Sequence, residues 1–162
     1  MRTYSSLNSL AHIPALAASH NITIVQGIWL DRNQAINSQE LAAGIALARS
    51  HANITSVMTG NETILRGEFS VSELTDILDS VRRAVDQPVS TAEPWHVWLD
   101  HPEMADHVDF LTVHMLPYWE GVHVDVAVDF IDEKLRLLED SFPGKPNLIG
   151  EVGWPSDGRT RG

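Results

Sequence analysis

The feature that most constrains this chain is an alternation of short apolar runs with longer amphipathic stretches, the pattern left by parallel strands joined by crossover helices. Residues 22–29, 54–60, 89–93, 108–114 and 147–151 each read as a strand, and Arg2-Thr3-Tyr4 as the tail of an earlier one. Between them, Ser70-Val71-Ser72-Glu73 has the form of a helix capping box, with Phe69 and Leu74 at the staple positions. Leu74, Leu78, Val81 and Val85 then follow on one helical face. The same period runs through Leu41, Ile45 and Ala48, and from Val124 through Phe130 to Leu138.

Two joints repeat almost word for word, Ser19-His20-Asn21-Ile22-Thr23 and Ser50-His51-Ala52-Asn53-Ile54-Thr55, each a helix end running into a strand. Asn tolerates the left-handed conformation that ends helices, which predicts that role at both joints. Asn21 and Asn53 stand 32 positions apart, close to one strand-plus-helix unit. Successive equal units predict an α/β barrel rather than an open doubly wound sheet, and no Gly-rich phosphate loop follows any strand. The chain carries no linker or low-complexity run across its 162 residues, so a single domain over 1–162 is expected.

Composition then narrows the partners. A formal net charge of −11 argues against nucleic acid, whose binding depends on Lys and Arg displacing counterions. No apolar run reaches the roughly 18 residues of a membrane span, so no direct membrane contact is expected from this segment. Cysteine is absent, which removes thiolate chemistry and Cys-based metal sites. The histidines at 96, 101, 107, 114 and 123 lack the helical spacing of zinc hydrolases, so neither metal nor cofactor is expected. Three Asn-x-Thr sequons, at Asn21, Asn53 and Asn61, are short enough to arise by chance.

In a barrel, chemistry sits at the C-terminal ends of the strands. All five Trp and both Tyr residues fall at or just past such ends: Tyr4, Trp29, Trp95, Trp98, Tyr118, Trp119 and Trp154. Flat amphipathic rings can stack on sugar rings while their N–H and O–H groups bond hydroxyls. Trp98 reads equally well as a core residue. Acidic residues collect on the same face, at Asp31, Glu62, Glu93, Glu120, Glu151 and Asp157. A glycosidase needs two carboxyls, one protonated and one ionised, and composition does not choose the pair.

Thr59-Gly60-Asn61-Glu62 at one strand end and Ile149-Gly150-Glu151-Val152-Gly153-Trp154-Pro155-Ser156 at a later one resemble the two active-site signatures of glycoside hydrolase family seventeen, the β-1,3-glucanase family. Ser90-Thr91-Ala92-Glu93-Pro94-Trp95 and His114-Met115-Leu116-Pro117-Tyr118-Trp119 resemble the intervening strand ends of its bacterial and fungal branches. The resemblance implies a (β/α)8 TIM barrel with Glu62 as acid/base after strand four and Glu151 as nucleophile at strand seven. Counting back, Tyr4 closes strand two and Trp29 strand three, so the chain spans about strands two to seven. Met1 followed at once by Arg-Thr-Tyr reads as a start partway into such a barrel.

The resemblance implies retaining hydrolysis of β-1,3-linked glucan, endo or exo, through a covalent glycosyl-enzyme intermediate. A glucanosyltransferase and an inactive glucan-binding fragment are the alternatives. A retaining pair is expected about 5 to 5.5 Å apart, with Glu62 raised in pKa as proton donor and Glu151 charged. Asn61 suits the sugar 2-hydroxyl. Tyr4, Trp29, Glu93, Trp95, Tyr118, Trp119 and Trp154 are expected to contact sugar, Glu120 to be a solvated rim carboxylate, and His114 to touch substrate or sit satisfied in the core. Open barrel edges are expected to invite self-association. The resemblance implies an extracytoplasmic setting or a domain of a membrane-associated protein, and the sequence itself does not fix the compartment.

Overall fold

The computed structural model describes residues 1–157. Its strands are β1 (Ile24–Ile28), β2 (Ile54–Asn61), β3 (Val89–Pro94), β4 (Leu111–Met115) and β5 (Asn147–Val152), all parallel and standing in chain order in one sheet. The crossovers carry α2 (Gln34–Ser50), α3 (Val71–Ala84), α4 (Trp95–Asp100) and α5 (Ala127–Ser141), with α1 (Ile13–Ala18) ahead of β1. Arg2 makes an isolated parallel bridge to Val25, where the tail of an earlier strand is expected. The same residue donates from Nη1 to Gly150 O at 3.2 Å, on the strand at the opposite edge. A flat sheet would hold those edges far apart, so the sheet is curled into an incomplete (β/α) barrel.

The apolar core lies between this wall and the outer helices. Ile24, Ile28, Val57, Leu74, Leu78, Val81, Val89, Leu111, Val113 and Leu138 are essentially inaccessible. The buried set also includes Thr3, Ser6, Gln26, Thr59, Ser90, Thr91, Thr112 and His114, so the strands carry polar side chains into the interior as well. The edge strand β5 is the least covered, with Leu148 and Ile149 exposed. No helix among the described residues is long and apolar enough to cross a membrane.

Local signals account for most boundaries. At α3 the Ser70 hydroxyl accepts from Glu73 N–H at 3.3 Å and the Glu73 carboxylate accepts from Ser70 N–H at 2.8 Å, completing the capping box. The last helix starts three residues later than its periodicity implies, because Val124–Val126 forms a 3-10 turn capped by the His123 ring. β1 begins at Ile24, since Ile22 lies exposed just after the turn at 19–21.

The repeated joints are solved in two ways. Asn21 takes the left-handed conformation, at φ 56°, as expected. Asn53 does not; its Nδ2 instead donates to Pro14 O at 3.0 Å and Ile22 O at 3.1 Å, tying the second joint to the first. Gly27 has a different task. A Cβ there would lie 2.3 Å from Thr3 O and 2.6 Å from Tyr4 backbone, so only glycine lets residues 2–4 lie against β1.

Candidate functional site

Glu62 follows β2 directly, after a register shift between Met58 and Asn61 that turns the strand end. Gly60 and Glu62 both have positive φ, 85° and 53°, and a non-glycine residue there carries roughly 1 to 3 kcal/mol of strain. The turn is fixed on either side, since Glu62 N–H donates to Ala92 O at 2.7 Å and Glu62 O accepts from Arg66 N–H at 2.8 Å. Arg66 also reaches Leu30 O at 2.7 Å, pairs with Glu68 and lies over the Trp29 ring at 4.6 Å.

Across the cleft, Glu151 sits on β5. Its Oε1 accepts from the Tyr4 hydroxyl at 2.9 Å and lies 3.6 Å from Arg2 Nη1. Arg2 Nη2 donates to Asn61 Oδ1 at 2.6 Å, which fixes that amide and leaves its Nδ2 to donate elsewhere. Between the two carboxylates stands His114 of β4, with Nδ1 2.7 Å from Glu62 Oε1 and Nε2 3.5 Å from Glu151 Oε1. Arg2 Nη1 also faces Nε2, at 3.3 Å. A guanidinium has no acceptor, so a neutral His114 must accept at Nε2 and donate from Nδ1 to an ionised Glu62.

That geometry overturns the expectation of a raised Glu62 pKa. The hydrogen bond from His114 holds the carboxyl below its ordinary value. Burial pushes the other way and is outweighed by that bond, with the charges of Arg66 and Arg2 adding to it. Two facing carboxylates alone would push one of them upward, but here an imidazole and two guanidiniums stand among them. Tyr4 moves upward, through burial first and then its bond to Glu151.

The other expected contacts divide. Trp119 is 61% exposed and shares a cavity of about 360 Å³ with Glu62, His114, His96, Leu116 and Glu120. Tyr118 joins Trp119 and Trp154 edge-on, with centroids 5.2 and 5.6 Å apart. Trp29 lies half-buried under Arg66. Trp95 spends its indole N–H on Glu120, at 2.9 and 3.1 Å, and packs against Phe130. Glu120 is exposed on the rim, as expected, but anchored. Trp98 is a core residue, fully buried and bonded to Thr112 O.

Glu93 is corrected. It is fully buried and its oxygens are taken by Thr63, Ile64 and Leu65, so it does not contact sugar. Arg2 and Glu40 carry site geometry that sequence reasoning passed over. Buried Glu40 accepts from the Ser5 hydroxyl, from Ser6 N–H at 2.7 Å and from Trp29 N–H at 3.2 Å. The available signal was a charged residue on an otherwise buried face: Arg2 in a strand tail, and Glu40 on the Asn37, Gly44, Ala48 face of α2. A larger groove, about 740 Å³ around Arg82, Arg83, Asp86 and Asp109, lies where the chain enters β3, at the end opposite the carboxylates.

Comparison with known proteins identifies the family and the fold. The profile of the BtgE/BtgC glycoside hydrolase domain matches residues 1–162. The chain is 27% identical to a probable beta-glucosidase btgE of Aspergillus fumigatus, over 100% of this chain and 30% of that protein. It is 29% identical to a glucan 1,3-beta-glucosidase of Schizosaccharomyces pombe, over 100% of this chain and 56% of that protein. An active-site mutant of Rhizomucor miehei beta-1,3-glucanosyltransferase, solved in complex with laminaritriose, superposes with a TM-score of 0.86 at 27% identity, covering 96% of this chain and 60% of that one. The chain thus spans less than two thirds of each of these relatives.

Proposed function

The chain belongs to the BtgE/BtgC glycoside hydrolase domain family, and from that premise we propose that it hydrolyses β-1,3-linked glucan with retention, through a covalent glycosyl-enzyme intermediate. The observation that carries this reading is the pair of strand-end carboxylates, Glu62 and Glu151, facing the two nitrogens of one imidazole. Glu151 is the nucleophile. Its oxygen attacks the anomeric carbon as the glycosidic C–O bond breaks, and Glu62 delivers a proton to the departing oxygen. Glu62 then takes a proton from water, whose oxygen attacks the same carbon and releases Glu151.

The low pKa of the free Glu62 suits the second step, where a base is needed. For the first step Glu62 must hold a proton, so turnover by the free protein is favoured at acid pH. A sugar filling the cavity excludes water, and the burial that already opposes the His114 bond then gains weight. With Asn61 Oδ1 held by Arg2, Nδ2 is the group that would donate to the 2-hydroxyl, a bond that strengthens in the transition state.

One observation favours a second reading, transfer of the glucosyl unit to another sugar. Trp119 offers a broad exposed ring in the cavity on the Glu62 side, a platform on which an acceptor could displace water. Incubation with laminari-oligosaccharides and mass analysis of products separates the outcomes. Shorter chains alone mean hydrolysis, longer chains mean transfer, and binding without either means an inactive glucan-binding piece.

A further inference from the structure

We propose that Glu93 is a positioning residue for Glu62, holding from inside the barrel wall the turn that carries the Glu62 carboxylate and Leu65 over the cleft. The proposal rests on the reading of Glu62 as acid/base. Glu93 lies on β3 and is fully buried. Its Oε1 accepts from Ile64 N–H at 2.9 Å and from the Thr63 hydroxyl at 3.2 Å, while Oε2 accepts from Leu65 N–H at 3.3 Å. All three donors belong to the residues immediately after Glu62.

A buried carboxylate is costly, and a shape-filling residue would serve packing better. What the carboxylate supplies is two acceptors in a fork, wide enough to hold successive backbone N–H groups pointing inward. With those groups drawn toward β3, the chain has to turn sharply at the preceding residue, and Glu62 is the one found at φ 53°. The same fork sets Leu65, 47% exposed, where it lines the cavity beside Glu62. Arg66 holds the turn from the outside through Asn61 O and Leu30 O, so Glu93 is the inner half of a two-sided clamp.

Glu93 also has electrostatic character. Burial raises its pKa, and the neighbouring Glu62 charge adds to that rise. Position and charge therefore make opposite predictions for Glu62 when Glu93 becomes Gln. Gln keeps the volume but presents an amide N–H₂ to one of the backbone donors, which opens the fork. If Glu93 positions the turn, Glu62 slips from His114 Nδ1 and its pKa rises toward an ordinary glutamate. If Glu93 matters only as a nearby charge, or only as filler, removing that charge lowers the Glu62 pKa or leaves it in place.

The test is a carbon-detected NMR titration of Glu62 in the unmodified chain and in Glu93→Gln, with exchange of the Leu65 amide followed alongside. An upward shift of Glu62 with Leu65 exchange at least about tenfold faster is expected. A downward or absent shift overturns the proposal. Should Glu93→Gln fail to fold, Thr63→Val removes one of the three bonds at nearly constant shape, and the same upward direction is required of it. In turnover of laminaripentaose, kcat should fall by about tenfold or more with KM within about twofold. Absence of turnover in the unmodified chain counts against the glucan reading and not against this one, which the titration decides.

Discussion

His114 Nδ1 stands 2.7 Å from Glu62 Oε1, while its Nε2 faces Arg2 and Glu151, so one imidazole separates the two strand-end carboxylates. That contact is the largest cause of the lowered Glu62 pKa. Replacing His114 by Phe removes it and leaves burial, which acts upward. In the proposed mechanism Glu62 is the proton donor of the first step, so the alkaline limb of kcat/KM would mark its loss of a proton. That limb should move to higher pH in His114→Phe. pH profiles on laminaripentaose check it, and a limb that stays or moves down refutes the assignment.

The two carboxylates should fail in different ways when removed. Glu151→Ala should abolish both shorter and longer products. Glu62→Ala should lose about 10²- to 10⁴-fold on laminari-oligosaccharides but far less on a dinitrophenyl glycoside, whose leaving group needs no proton. Added azide should restore turnover in each, giving the α-glycosyl azide with Glu151→Ala and the β-anomer with Glu62→Ala. Identical anomers from the two variants would show the roles to be wrongly divided.

Acid should weaken the fold in a way that single substitutions can dissect. Glu62 has a lowered pKa in the folded chain, so its contribution is present above the ordinary carboxylate range and is lost as pH falls through the folded value. Asp109 behaves alike. Burial pushes it up, but bonds from Val89 N–H and Arg82, with the charges of Arg82 and Lys145, bring it down overall. Glu93 has the opposite sign, because burial raises its pKa and the desolvation cost of its charge is relieved as pH falls. Thermal midpoints measured from pH 7 down to pH 3 should therefore fall less steeply in Asp109→Asn and more steeply in Glu93→Gln.

Gly27→Ala should be disruptive out of proportion to one methyl group. The new Cβ would meet Thr3 O and the Tyr4 backbone, neither of which can swing aside as a flexible side chain could. A loss of at least about 1 to 3 kcal/mol is expected in urea unfolding. The contact of Tyr4 with Glu151 should go with it, so glucan turnover should drop even in the folded fraction. A variant with unchanged stability would mean that residues 2–4 are not held against β1 in solution.

Much of this fold is legible in the chain because its signals are local. A capping box closes within four residues, and apolar runs mark strands to within three residues at either end. Glu62 and Glu151 stand out because short motifs surround them. What stays hidden is set by partners far away in sequence. Glu93, Glu62 and Glu151 look alike as strand-end carboxylates, yet Glu93 points into the wall and the other two into the cleft. The Glu62 pKa depends on His114, 52 positions away, and on Arg2, so its direction was beyond reach of any local window.

Arg2 touches Asn61, His114, Gly150 and Glu151, and it does so from the edge of the sheet opposite to β5. The charge array therefore doubles as a gauge of curvature. If the curl relaxed by even the length of one hydrogen bond, Arg2 would lose Gly150 and Glu151 together, and His114 would lose the donor that sets its tautomer. Closure of the wall and the charge around the carboxylates thus depend on one group, because the same guanidinium joins the sheet edges and bonds to the site.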